Sequence, residues 1–400
     1  MKHNTYNQRP PRIAFADLSQ ANWVAGAHYL KNLFVALKSL EQPEQPEITL
    51  VRLAQAQPAG DTMFDSCAAQ RLEQPAPTFW QRVVLRLQRQ TGLALGPEPA
   101  LTPLLRAHCV DAFFATIDFG PRFNLPLLAW IPDFQHIHLP YLFPKEELEL
   151  RNRTFARIAR YAQRVILSSH DALRDFERFA PQFAHKGRVL HFVAQVPANV
   201  YDSNPAWIWE QYQLPERFVY LPNQFWKHKN HEVVVKALAL LKATHPEITV
   251  VCTGNTQDTR DPTHFSQLKA TIEAEGLSKN FIILGMVPYS HIFQLMRQAL
   301  AVLQPSLFEG WSTTVEETKS IGKQIILSDI PVHQEQSPPN ALYFDPQKPD
   351  ELAGCLIDLF AIKSPGPDYA LETLARQQLL ERTQVFGRAF VEIFDEVKQR

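Results

Sequence analysis

Two carboxylates with seven residues between them, Glu309 and Glu317, stand in the run Gln304-Pro-Ser-Leu-Phe-Glu-Gly-Trp-Ser-Thr-Thr-Val-Glu-Glu-Thr318. An apolar stretch ends at Pro305, a tight loop holds Glu309 and Gly310, and a helix is predicted over Thr313–Ile321 with hydroxyl residues as its caps. That places Glu309 at the helix mouth and Glu317 on the second turn, so both can face one pocket. Carboxylates accept paired hydrogen bonds from the vicinal hydroxyls of a ribose or hexose. Free N–H groups at a helix N-terminus bind phosphate. The same pattern also fits a helix that merely carries acidic residues where its dipole favours them.

Three further clusters lie where an apolar run ends. The segment Leu221-Pro-Asn-Gln-Phe-Trp-Lys-His-Lys-Asn-His231 is a cationic loop between a predicted strand and a predicted helix. Such a loop suits a diphosphate leaving group, whose charge grows as its bond breaks; on that basis, replacing Lys229 is expected to lower turnover more than stability. A polar turn capped by Asn230 is the plainer alternative. Gly254-Asn255 follows the run Ile248–Thr253, where a glycine allows a turn or close approach of a ligand. Trp130-Ile-Pro-Asp-Phe-Gln-His-Ile-His-Leu-Pro140 gathers Asp133, Gln135, His136 and His138 after another apolar run. Near the start, Gly26 lies between a predicted strand at Arg12–Leu18 and a helix at Ala27–Leu40, as a turn residue or a point of backbone approach.

The elements that must hold these residues alternate. Strands are predicted at Ile48–Leu53, Asp111–Ala115, Pro126–Ile131, Arg164–Ser168 and Arg188–Phe192, and then at Phe218–Pro222, Phe281–Leu284, Ala301–Gln304 and Gln324–Ser328. Helices fall between them, among them Phe79–Thr91, Lys145–Ala162, Asp171–Phe179, His231–Ala243 and Tyr289–Gln298. Apolar strands between helices indicate parallel sheets covered on both faces. Two such series in 400 residues imply two doubly wound α/β domains joined near Pro197–Pro205. Ligands of such sheets bind beyond the carboxyl ends of the strands.

Bulk composition excludes several classes. Hydrophobic residues make up 45% and charged residues 20%, and the net charge of −1 gives no global attraction to nucleic acid. The four cysteines have no metal-ligand spacing, and a reduced compartment is expected. Met1–Arg12 is polar and basic, without the apolar core of a signal peptide, and no run of about 18 apolar residues occurs. A cytoplasmic enzyme is expected. Basic helices at Phe79–Arg89 and Arg151–Arg164 could touch an anionic membrane from its inner face, or simply be solvated.

Ser306-Leu-Phe-Glu-Gly, with Glu309 and Glu317, resembles the E-x7-E motif of family 4 retaining glycosyltransferases, the group 1 glycosyl transferases. The likeness runs over Pro222–Pro346 and more loosely before it. It implies the GT-B fold, two Rossmann-like domains facing across a cleft. The expected division is an acceptor-side domain over 1–200, a nucleotide-sugar domain over 201–368, and C-terminal helices over 369–400 that cross back. It implies that Glu317 holds the ribose hydroxyls and Glu309 the transferred sugar. Backbone N–H groups around Gly310–Val315 would meet sugar and phosphate, with Gly310, Trp311, Ser312, Thr313 and Thr314 in the donor pocket. Ser312 departs from the family, where a second glycine is common. By the family's spacing Lys229 matches the lysine of its diphosphate pair, and Gln224 replaces the arginine. Gly254 matches a loop near the nucleotide base. Ile-Pro-Asp-Phe-Gln-His resembles the signature of a subgroup, which makes His136 the histidine facing the donor sugar and adds Asp133 to the site. Gly26 stands alone where many relatives carry two glycines. The implied reaction moves a hexose from a nucleotide diphosphate sugar to a saccharide or lipid-linked acceptor, in glycan or polysaccharide biosynthesis. No cofactor is expected, and no metal, because Lys229 and helix N-termini can stabilise the diphosphate and no Asp-x-Asp motif is present. A sugar-nucleotide epimerase of the same fold and a non-catalytic sugar-nucleotide-binding partner are the alternatives.

Overall fold

A computed structural model of the chain describes residues 9–18, 24–53, 64, 66–75, 78–79, 83, 98–121, 123–258 and 260–398. Most of the predicted helix Phe79–Thr91, with its arginines, lies outside the described residues. Contacts divide the chain into two units: Met1–Phe134, Lys145–Phe192 and Glu381–Arg400 form the first, and Gln135–Pro144 with Val193–Leu380 the second.

The first unit is built on a parallel sheet. Its described strands are β1 (Arg12–Ala16), β2 (Glu47–Arg52), β3 (Gln70–Glu73), β4 (Ala112–Ala115), β5 (Leu127–Ile131), β6 (Arg164–Leu167) and β7 (Gly187–Val189), in the order β3-β2-β1-β4-β5-β6-β7. β1, β4, β5 and β6 are almost wholly buried because helices cover both faces. The edge strand β3 has no counterpart in the sequence reading. Only Leu72 of its four residues points inward, too little signal against a polar surrounding.

The expected C-terminal helices of 369–400 form one continuous helix over Tyr369–Lys398. Its second half packs in the first unit: Phe390 stacks on Phe15 at 5.8 Å, and Phe386 meets Tyr29 edge-on at 6.3 Å. Gly387 permits this contact, since a Cβ there would lie 2.6 Å from the carbonyl oxygen of Ala36. Glu396 then binds Arg164 at 2.5 Å and Arg188 at 2.7 Å. Three of the five arginines in Arg151–Arg164 are in this way held by carboxylates of their own unit: Arg151 by Glu147, Arg157 by Asp118 and Arg164 by Glu396. No described helix is long and apolar enough to cross a membrane.

The second unit repeats the plan. Its described strands are β8 (Val219–Pro222), β9 (Val250–Thr253), β10 (Phe281–Ile283), β11 (Val302–Gln304), β12 (Ile325–Ser328) and β13 (Leu342–Phe344), all parallel, in the order β10-β9-β8-β11-β12-β13. Chain direction across the sheet reverses between β8 and β11. At such a reversal of strand order the connections of the two neighbours run to opposite faces, and open α/β sheets bind ligands at the carboxyl ends there. Lys229 follows β8, and Glu309 follows β11.

Candidate functional site

Helix Thr313–Ile321 begins as the sequence implies. Ser312 is its cap, with Oγ accepting from the N–H of Val315 at 3.4 Å. Gln336 brackets the same residue: its Oε1 accepts from Ser312 N at 3.1 Å, and its Nε2 donates to Ser312 O at 3.0 Å. Two N–H groups of the Gly310–Val315 run are therefore engaged inside the protein, and Ser312, which stands where a second glycine is common in the family, caps the helix. Thr314 is buried, while Gly310, Trp311 and Thr313 are partly exposed around the same mouth.

Lys229 and Glu309 meet. The Nζ of Lys229 donates to Glu309 Oε1 at 2.6 Å, with the two side chains 13% and 11% exposed. Burial alone would push the Glu309 carboxyl up, but Lys229 outweighs it, with help from His333 and Ser306, and holds it below the ordinary carboxylate range. Gln304, at the end of β11, ties the two loops together. Its Nε2 donates to Glu309 Oε1 at 2.8 Å and to Ser312 Oγ at 3.1 Å, while its Oε1 accepts from Asn223 Nδ2 at 2.6 Å. The fully buried His333 lies near this carboxylate, and burial pushes its pKa down to about 4. Its imidazole is neutral at pH 7.

Glu317 is held differently. It is buried on the second turn, and its partner is the Tyr289 hydroxyl, which donates to Oε1 at 2.8 Å. Among the described residues no cation offsets its burial, which pushes its pKa up to about 7. The paired carboxylates read from sequence thus have opposite electrostatics: Glu309 is ionised beside a lysine, and Glu317 is poised between its two protonation states.

The lysine loop is anchored by its backbone. Asn230 adopts φ +56° and its side chain donates to the carbonyls of Pro305 and Pro346 at 3.1 and 3.0 Å. Leu307 N donates to His228 O at 2.8 Å, binding the β8 and β11 loops to each other. His228 is buried, and burial, Lys229 and Arg260 together depress its pKa, so it adds no charge in place of the missing arginine. Gln224, at the arginine position, makes a local contact in which its Oε1 accepts from Asn255 N at 2.7 Å.

Gly254 belongs to that same junction. It has φ +146°, and a Cβ would lie 2.1 Å from the carbonyl oxygen of Asn223. Gly254 N donates to Gly285 O at 2.9 Å, and Phe225 N donates to Asn255 O at 3.0 Å. Three successive strand-end loops are thereby packed backbone to backbone. Gly254→Ala is expected to cost at least about 2 kcal/mol, from overlap added to left-handed strain. Denaturant unfolding checks this, and an unchanged midpoint would mean that the loops part without penalty.

The remaining sequence candidates are dispersed. Asp133 is partly buried on the turn after β5 in the first unit, while His136 is buried in a short helix, Gln135–His138, whose contacts lie with the second. The His138 ring lies 5.0 Å from that of Phe308, one residue before Glu309. Gly26 is buried inside the helix Val24–Lys38, so the expected turn position is corrected: the helix starts earlier than predicted, and the connection at 19–23 lies outside the described residues. Sequence reasoning missed Gln304, Asn223, Tyr289, Gln336 and His333. A polar Gln304 closing a wholly apolar strand was the one available signal.

Comparisons with known proteins agree with the fold. Residues 210–369 match the model of the family described as glycosyl transferases group 1. No curated protein matches the chain. Among solved structures, the fold is similar to that of Anabaena HepE in complex with UDP and glucose, at TM-score 0.67 and 16% identity, covering 96% of this chain and 100% of that one. A glycosyltransferase from Rickettsia africae aligns at TM-score 0.65 and 17% identity, over 98% and 99% of the two chains. The sucrose-phosphate synthase of Thermosynechococcus elongatus aligns at TM-score 0.62 and 16% identity, over 97% and 98%. The protein thus has the GT-B fold, and its segment 210–369 matches the model of the group 1 glycosyl transferases.

Proposed function

We propose that the protein is a retaining glycosyltransferase that moves a hexose from a nucleotide diphosphate sugar to a saccharide or lipid-linked acceptor. The observation that carries this reading is the convergence of Lys229, Glu309 and the capped helix bearing Glu317 at the strand-order reversal between β8 and β11. In this reading Glu317 accepts the ribose hydroxyls, Glu309 accepts a hydroxyl of the transferred hexose, and Lys229 faces the diphosphate. The glycosidic bond breaks with its electron pair leaving on the diphosphate, whose growing charge Lys229 stabilises. The acceptor hydroxyl attacks the anomeric carbon from the face the diphosphate leaves, and its proton passes to a phosphate oxygen. Lys229, the chain's own cation, serves the leaving group.

The complexes of Anabaena HepE with UDP and glucose support a donor of this class. Thermal unfolding with UDP, GDP, ADP and their hexose conjugates tests the reading. One nucleotide is expected to stabilise the fold by about 2.7 kcal/mol at one hundred times its Kd. Its hexose conjugate should then be consumed in the presence of an acceptor extract. A protein stabilised by none of them is not a glycosyltransferase of this kind. Gln224, occupied with Asn255 where the family carries a cation, favours a second reading: a partner that binds the sugar nucleotide without transfer. Binding with no turnover on any extract would select it.

A further inference from the structure

Arg260 has no place in the donor reading, yet it joins three segments of the second unit. It lies on the loop after β9, and its side chain is 17% exposed. Its guanidinium lies over the Phe143 ring at 5.2 Å and the Trp226 ring at 5.4 Å. One terminal nitrogen donates to Gln135 Oε1 at 3.1 Å, and the carboxylate of Asp258, itself 4% exposed, accepts the Arg260 backbone N–H at 3.0 Å and its Nε–H at 3.4 Å.

Each contact has a structural consequence. Gln135 opens the short helix that carries His136, and Leu139 N donates to its carbonyl at 2.8 Å. Phe143 closes the same segment, with its N–H donating to Pro140 O at 3.1 Å. Trp226 heads the lysine turn, since Lys229 N donates to Trp226 O at 2.8 Å. A planar cation in contact with two aromatic rings, and donating to an amide oxygen, holds both ends of the segment and the start of the turn in one geometry.

We propose that Arg260 is a positioning residue for transfer, clamping the Gln135–Phe143 segment, and with it His136, to the loop that carries Lys229. The role in transfer rests on the donor reading above; the clamp itself does not. A neutral side chain at 260 releases the segment without altering Glu309, Glu317 or the capped helix. Misplacement of a reacting group by about 1 Å costs on the order of a hundredfold in rate. Arg260 then acts on turnover and leaves nucleotide affinity alone.

The test compares wild type with Arg260→Met and Arg260→Lys, reading amide hydrogen exchange over residues 138–143, calorimetric affinity for UDP, GDP and ADP, and consumption of the corresponding hexose conjugates. In Arg260→Met, exchange in the segment is expected to rise at least about tenfold while helix 313–321 stays protected. Turnover should fall about ten- to a hundredfold with nucleotide affinity within about twofold. Arg260→Lys, which keeps the cation but loses the planar edge facing Gln135, should recover part of both. Unchanged exchange in Arg260→Met overturns the clamp. A loss of nucleotide affinity as large as the loss of turnover makes Arg260 a diphosphate ligand instead. Wild-type protein that binds none of the nucleotides fails the donor reading and removes the role in transfer, while exchange still judges the clamp.

Discussion

Glu317→Gln should make the free protein more stable at pH 8 while removing most of its affinity for nucleotide. In the fold the carboxyl has a pKa of about 7 because burial disfavours its charge, against an ordinary value of 4.5. The folded state therefore holds the proton more tightly than the unfolded chain. The resulting stability is fully present below about pH 4.5, is lost as pH rises towards 7, and is absent above it. Ionisation in the fold corresponds to a cost of about 3 kcal/mol at pH 8. A glutamine keeps an oxygen for the Tyr289 hydroxyl and carries no charge, so the cost disappears.

Binding runs the opposite way. Two ribose hydroxyls donate best to an ionised carboxylate, and an amide offers only one accepting oxygen. The loss in affinity should be about 1–3 kcal/mol. For the same reason wild-type affinity should weaken about tenfold per pH unit below 7, where a proton must leave before ribose binds. Melting curves and calorimetry at pH 6 and 8 read both effects. Undiminished affinity in Glu317→Gln, or wild-type affinity flat across that range, would take Glu317 out of the nucleotide site.

Lys229→Ala is the second large effect, and the structure revises what the sequence predicts for it. The loop read as a cationic cradle suggests a loss of turnover that exceeds the loss of stability. In the fold, Lys229 is the counter-ion of the largely buried Glu309. Removing it leaves an uncompensated carboxylate, which costs about 3–5 kcal/mol. Turnover should fall by about two to three orders of magnitude, the range for losing a group that stabilises developing charge. The double variant Lys229→Met with Glu309→Gln separates the two effects. It should regain most of the stability, because no bare charge remains, and none of the turnover. A single variant that folds normally and consumes the sugar nucleotide at the wild-type rate contradicts both roles.

The sequence alone determined the repeating pattern. Apolar runs such as Arg164–Leu167 and Ile325–Ser328 are long enough, and flanked closely enough by helical periodicity, to specify parallel strands from local signals. The carboxylates of 309 and 317, the lysine at 229 and the helix between 313 and 321 were placed in the same way, since strand ends and helix starts are written in adjacent residues. Tertiary structure decided what is non-local. Tyr289 reaches Glu317 across 28 positions, Lys229 reaches Glu309 across 80, and Arg260 reaches Gln135 across 125. Strand order brings these pairs together, and nothing near any one of them announces its partner. The protonation of the two glutamates follows from the same cause. Within one motif of the sequence they are equivalent, and only the packing supplies a cation to one and a phenol to the other.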